Sequence, residues 1–155
     1  GGKGLVICDS DEHDEEGHLT EDFEIRIAMH EKRMAKIDIL KNDLVCPDFH
    51  GSEDAELILV CWGSTFGACQ EAAYQLNTKG RKTALLHYSQ VWPLDASAVN
   101  KLLEKNIRIV VVEGNYTGQF LSLLKEQGLN GGCELMNRYD GLPFTAEFIM
   151  EELQS

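Results

Sequence analysis

The chain reads as an α/β domain built on a largely parallel sheet, and three observations predict it. Strand-like apolar runs alternate with helix-like amphipathic stretches along the sequence. The runs "LILVC" and "IRIVVV" are apolar at nearly every position, as strands covered on both faces must be. Glycine or proline punctuates the junctions at Gly63, Gly80, Pro93 and Gly128, leaving connections short enough for right-handed crossovers that stack helices on both faces. At 155 residues the chain is most simply one domain, able to bury roughly 68–70% of its unfolded surface.

The elements follow in order. "GLVIC" reads as a short first strand, and the opening "GGKG" is left out of the fold reading. Residues 1–19 form an acidic lead-in and 20–155 the domain. From Thr20 the pattern turns helical: Phe23, Ile27, His30, Met34, Ile37 and Leu44 recur at spacings of three, four or seven and define one inward stripe. Thr20 is the expected N-cap, with Glu21 and Asp22 at the positive end of the helix dipole. "AELILVCWGS" is a central strand ending at Gly63. A helix from about Phe66 to Lys79 is closed by Gly80. "KTALLHYS" is the next strand. "VWPLDASAVNKLLEKN" turns at Pro93 and enters a helix capped by Asp95 or Ser97. "IRIVVVEGN" is a second central strand, followed by a helix from about Thr117, its expected cap, to Gln127. "CELMNRYDGLPFT" supplies a last strand and turn, and "TAEFIMEELQ" a final helix capped by Thr145.

Fourteen basic and twenty-six acidic side chains leave a net charge of -12. That field repels phosphate backbones and anionic lipid, which argues against nucleic-acid and membrane partners. No apolar run approaches the ~20 residues that span a bilayer. The five cysteines are odd in number, widely spaced and free of any C-x-x-C pair. This is the pattern of reduced thiols in a cytoplasmic chain, not of a disulfide framework, a zinc cage or an iron–sulfur cage.

Three stretches are candidates for chemistry. "SDEHDEEGHLTED", Ser10 to Asp22, holds seven carboxylates and two histidines. Read as a calcium loop from Asp9 or from Asp11, it puts Asp14 or Glu16 where the turn needs glycine. His13 and His18 lie five apart, off any shared helical face. A solvated lead-in that complements the helix dipole is favoured over a metal or catalytic role. "CWGSTFGACQEA" is a strand–turn–helix whose N–H groups at Gly63, Ser64 and Thr65 could meet an anion. It lacks the lysine of a phosphate loop. As a nucleophile elbow it would place Thr65 at the nucleophile, with His87 and Asp140 the available partners. A structural turn is favoured, a ligand contact comes next, and a covalent role last. "VVVEGNYTGQF" gathers Glu113, Asn115, Thr117 and Gln119 at the carboxyl edge of the sheet, where open α/β sheets bind ligands. The plain alternative there is a satisfied turn. His30, His87, Trp62 and Trp92 read as packed side chains.

Taken in order, "SDEHDEEGHLTED", "RIAMHEKRMAKID", "LVCWGSTFGACQEA", "LHYSQVWPL", "VVVEGNYTGQF" and "RYDGLPFT" resemble the carboxyl-terminal part of the alpha subunit of 2-oxoacid:ferredoxin (flavodoxin) oxidoreductases. "VWPL" and "VEGNYTGQ" are more similar to the 2-oxoglutarate type than to the pyruvate type. The resemblance implies a transketolase-C-terminal-like domain: a three-layer α/β/α sandwich with a five-stranded, mostly parallel sheet. It implies a holoenzyme that oxidatively decarboxylates a 2-oxoacid with coenzyme A, using thiamine diphosphate, Mg and iron–sulfur clusters to pass electrons to ferredoxin. The nearest thing here to a Gly-Asp-Gly diphosphate signature is "YDGLP" at Tyr139–Pro143, which lacks the first glycine. The chain is therefore expected to carry no cofactor, metal or catalytic residue of its own, and to serve assembly. Its expected partners are an amino-terminal domain of the same subunit, beta and further subunits, ferredoxin indirectly, and a second copy of itself. Gly63, Ser64, Thr65, Glu113, Asn115 and Gln119 remain candidate ligand or interface residues. The alternative is a stand-alone α/β module holding an anion, nucleotide or coenzyme A at the Gly63–Gly67 turn.

Overall fold

The computed structural model describes residues 11–154. They divide after Asp43 into two compact units. "GLVIC" and Cys8 lie outside the described residues.

In the first unit the acidic lead-in is a hydrogen-bonded turn. His13 and Leu19 form an isolated antiparallel bridge, and Asp14 N–H donates to His18 O at 2.9 Å. Helix α1 spans Phe23–Leu40 and passes into a 3₁₀ turn, Lys41–Asp43. Its N-cap is Asp22 and not Thr20: the Asp22 carboxylate accepts from Glu24 N–H at 2.8 Å and Ile25 N–H at 3.0 Å. Thr20 Oγ1 instead accepts from Asp22 N–H at 3.1 Å and orients the cap. The expected inward stripe is also corrected. Phe23, Ile27 and Met34 are 81%, 60% and 61% exposed, while Met29 is buried. Leu44 falls beyond the helix end. Apolar residues occupy two sides of α1, and the periodicity alone could not say which side faces inward.

The second unit is a five-stranded sheet. Its strands are β1 (Asp48–His50), β2 (Leu57–Trp62), β3 (Thr83–Tyr88), β4 (Arg108–Glu113) and β5 (Glu134–Asn137). They lie in the order β1-β3-β2-β4-β5. All pairs are parallel except β1 with β3, where Phe49 sits opposite Leu86. The five strands and their mostly parallel pairing are as the resemblance implies. β1 is nevertheless a strand that the pattern missed, because three residues with polar ends carry no periodicity.

Four helices follow strands: α2 (Phe66–Thr78), α3 (Ser97–Leu103), α4 (Gln119–Glu126) and α5 (Ala146–Glu152). Alternate residues of each central strand point to opposite faces. Leu57, Leu59 and Cys61 of β2 meet Cys69 and Ala72 of α2 and Ile149 of α5. Ile58 and Val60 meet Val99 of α3 and Phe120 and Leu124 of α4. Both faces are therefore covered, and Leu57 through Cys61 are each at most 1% exposed. This explains the unbroken apolar run in the sequence.

The caps refine the reading. Thr145 caps α5 as expected, its hydroxyl accepting from Phe148 N–H at 3.2 Å. The N-cap of α3 is Ala96 and not Asp95 or Ser97; the Asp95 carboxylate, one residue earlier, accepts from Ser97 N–H at 2.9 Å. α4 starts at Gln119, two residues later than expected, and Thr117 does not cap it. Its N-cap is Gly118, in the left-handed region at φ 69°.

Candidate functional site

The connections after β2 and β4 part company. α2 returns on one face to β3, and α4 runs on the other face to β5. A crevice opens at the carboxyl ends of strands where such a divergence occurs. Here it is a cleft of about 710 Å³, lined by Trp62, Ser64, Thr65, Gly114, Arg138 and Tyr139 among others.

After β2, the positive φ of Gly63 (57°) turns the chain directly into a 3₁₀ turn, Gly63–Thr65, that leads into α2. The Thr65 hydroxyl donates to Trp62 O at 2.8 Å and the residue is buried. His87 packs against Phe66 in a tilted arrangement, with ring centroids 4.5 Å apart. Asp140 accepts from Arg138 Nε at 2.9 Å and from Leu142 N–H at 2.9 Å. The three residues of the conceivable relay thus each have other engagements, and no hydrogen bond joins them among the described residues.

After β4, Glu113 is completely buried. Its Oε2 accepts from Phe120 N–H at 2.9 Å and from Asn115 Nδ2, and its Oε1 accepts from Leu121 N–H at 3.1 Å. Asn115 Oδ1 takes the N–H groups of Gly118 (2.8 Å) and Gln119 (3.1 Å). A carboxylate and an amide together satisfy the free donors at the start of α4, and the negative charge sits at the positive end of the helix. Asn137 Nδ2 then donates to Asn115 O at 3.1 Å and Tyr116 O at 2.8 Å, tying β5 to the same loop. Of the polar cluster read from "VVVEGNYTGQF", Glu113 and Asn115 are turned toward the protein, while Thr117 and Gln119 are exposed.

The six candidate residues therefore separate. Ser64 and Thr65 line the cleft. Gly63 makes the turn beside it, and Glu113, Asn115 and the Gln119 backbone build the α4 anchor. The sequence reading missed Arg138 and Tyr139. Arg138 is held by Asp140, by Pro143 O at 2.8 Å and over the Phe148 ring at 4.3 Å. Tyr139 meets Tyr116 edge-on at 4.7 Å. The only signal for either was the aromatic and basic content of "NRYDGLPF".

The lead-in is organised around Glu12. Arg33 Nη1 and Nη2 donate to its two carboxylate oxygens at 3.0 and 2.6 Å, and His30 Nδ1 lies 3.4 Å from it. The Arg33 guanidinium, aided by the His13 N–H, holds the Glu12 carboxyl at a pKa of about 2. Asp14 accepts from His18 N–H at 2.8 Å, which lowers its pKa as well. The acids and histidines thus bond to one another and to α1. Among the described residues no three His, Cys, Asp or Glu side chains gather as a metal site. Among the described residues, those that the resemblance points to do not fit a diphosphate–metal or cluster site. Asp140, the acid of the "YDGLP" turn, is already occupied. Cys61 and Cys69 are fully buried, Cys46 is exposed and Cys133 half-buried, with no cluster cage among them.

Comparison with known proteins adds an independent finding. The family model for the transketolase C-terminal domain matches residues 50–150. A 2-oxoacid:ferredoxin oxidoreductase subunit alpha from Saccharolobus solfataricus is 31% identical, over 99% of this chain and 25% of its own length. A subunit of the same description from Aeropyrum pernix is 37% identical, over 77% of this chain and 19% of its own. A solved 2-oxoglutarate:ferredoxin oxidoreductase from Magnetococcus marinus superposes with a TM-score of 0.69 at 24% identity, over 97% of this chain and 26% of that one. At that identity the likeness speaks for the fold. The chain spans about a quarter of the length of the curated relatives it matches. No helix among the described residues is long and apolar enough to cross a membrane.

Proposed function

The chain belongs to the transketolase C-terminal domain family, and from that premise we propose that it is the carboxyl-terminal domain of the alpha subunit of a 2-oxoacid:ferredoxin oxidoreductase. The observation that carries this is the extent of the match. Alpha subunits align with 98–99% of the chain, the acidic lead-in included, while the chain accounts for only a quarter of them. "VWPL" and "VEGNYTGQ" favour 2-oxoglutarate over pyruvate as the substrate.

The domain organises the complex and performs no chemistry by itself. The polar groups at the sheet edge support this, since Glu113, Asn115 and Asp140 are engaged in holding turns and helix starts. Thiamine diphosphate, Mg and iron–sulfur clusters belong to the remainder of the subunit and to partner chains in a cytoplasmic complex. Affinity capture of the tagged chain from its own cell extract tests the reading. A thiamine-binding beta subunit should co-purify in stoichiometric amount, and its absence from the captured material contradicts the proposal.

The cleft supports one second reading, a binding module for a small anion, nucleotide or coenzyme A beside Ser64 and Arg138. A ligand at about 100 times its Kd would add roughly 2.7 kcal/mol of stability. A thermal-shift series with coenzyme A, phosphate and nucleotides separates the two, since the assembly reading expects no shift.

A further inference from the structure

We propose that Asn130 and Gly131 form a self-modifying pair, at which the folded chain turns an asparagine into aspartyl and isoaspartyl forms by attack of its own backbone, and that the isoaspartyl form loosens the approach to β5. The inference rests on the loop between α4 and β5 and is independent of the enzymatic reading above.

α4 is followed by a left-handed glycine, Gly128 at φ 95°. Asn100 of α3 then pins the loop at two points. Its Nδ2 donates to Gly128 O at 2.8 Å, and its Oδ1 accepts from Asn130 N–H at 2.9 Å. The pinning ends there. Asn130 and Gly131 are both exposed. Neither the Asn130 side-chain amide nor the Gly131 N–H has a hydrogen-bond partner among the described residues. Gly131 has no Cβ to crowd its own nitrogen, and its backbone turns easily. The two groups that must react are therefore adjacent and unengaged.

The step balances without oxidant or reductant. The Gly131 nitrogen gives up its proton and bonds to the Asn130 side-chain carbonyl carbon. The bond from that carbon to Nδ2 breaks, and ammonia leaves with the proton, closing a succinimide ring. Water then opens the ring at either carbonyl. Opening at the side-chain carbonyl leaves an aspartyl residue in an unchanged main chain. Opening at the main-chain carbonyl routes the backbone through the side chain and lengthens it by a methylene. That extra length falls between the Asn100 pin and β5, which begins at Glu134.

The other six asparagines serve as internal controls. Asn42, Asn77, Asn100, Asn115 and Asn137 each hold the side-chain amide in a hydrogen bond. Asn106 has no side-chain hydrogen bond among the described residues, but the branched Ile107 follows it and crowds the attacking nitrogen.

The whole chain is aged at mildly alkaline pH, folded and in urea. Peptide mass spectrometry locates the converted asparagines, and labelling with an isoaspartyl methyltransferase locates the isoaspartyl form. In the folded chain Asn130 should convert ahead of the other six, at close to its rate in urea, and faster as the pH rises. Asn77 and Asn137 should convert more slowly folded than unfolded. Gly131→Ala should slow Asn130 several-fold, toward the rate of Asn106. A Cβ there would come within 2.8 Å of Leu103 Cδ1, so circular dichroism checks that variant's fold; the comparison of folded with unfolded chain does not depend on it. The aged chain should unfold at lower urea than the fresh one. Conversion of Asn130 in urea but not in the folded chain, or a folded rate no faster than that of Asn106, overturns the proposal. An aged chain with the fresh chain's urea midpoint overturns the loosening of β5.

Discussion

A fully buried carboxylate at the end of a central strand needs donors, and Glu113 has three: two backbone N–H groups of α4 and the Asn115 amide. Replacing it with Gln turns one acceptor into a donor that faces an N–H. Glu113→Gln should therefore lower stability by about 2–3 kcal/mol in urea unfolding, and a change near zero would show that the anchor is dispensable. Gly118, the residue just before α4, holds φ 69°, and a Cβ there would come within 2.7 Å of Leu135 Cδ2. Gly118→Ala should cost at least about 1–2 kcal/mol from the left-handed backbone alone. The sequence named Glu113 and Asn115 as a polar cluster. It could not show that they face inward, because the donors sit up to eight residues away and meet them only once α4 has docked. Glu12 shows the same limit. Its charge was legible, but its partner Arg33 lies 21 residues on. The Arg33 fork depresses the Glu12 pKa to about 2, against an ordinary 4.5. The clamp's contribution is then complete above about pH 4.5 and fades as the pH falls toward 2. A carboxyl-carbon NMR titration should place the Glu12 midpoint near the lower value, and Arg33→Ala should return it toward the upper one.

At the scale of elements, the helices and central strands were readable because period and punctuation agree. The run Leu57 to Cys61 predicted a two-sided strand, and Thr145 predicted the start of α5. Thr145→Ala should cost about 1 kcal/mol in thermal or urea unfolding; an unchanged midpoint would mean that the Phe148 N–H finds another acceptor. Failures occurred where a local signal was short or doubled. β1 is three residues long, and its place is set by Leu85, Leu86 and His87 across the ladder. Thr20 and Asp22 are both competent caps two residues apart, and Asp22 takes the role because the backbone turns there. α1 carries apolar side chains on two sides, so its periodicity gave the helix but not the face that turns inward.

At the scale of the whole molecule, the order β1-β3-β2-β4-β5 sets a cleft where the connections diverge. The ordered series of motifs identified the type of domain more sharply than any single motif, since each by itself reads as a common turn. Hydrogen bonds place Thr65, Glu113 and Asp140 each in a turn or at a helix start. On the function proposed above, a body of this kind contributes surface and stability, and the reaction proceeds elsewhere in the assembly. The most direct measurement is coenzyme A-dependent reduction of ferredoxin or viologen by the purified chain with 2-oxoglutarate or pyruvate, thiamine diphosphate and Mg supplied. No turnover is expected from the chain alone, and activity should arise only when the companion subunits are present. Steady turnover by the chain free of other proteins would contradict the account.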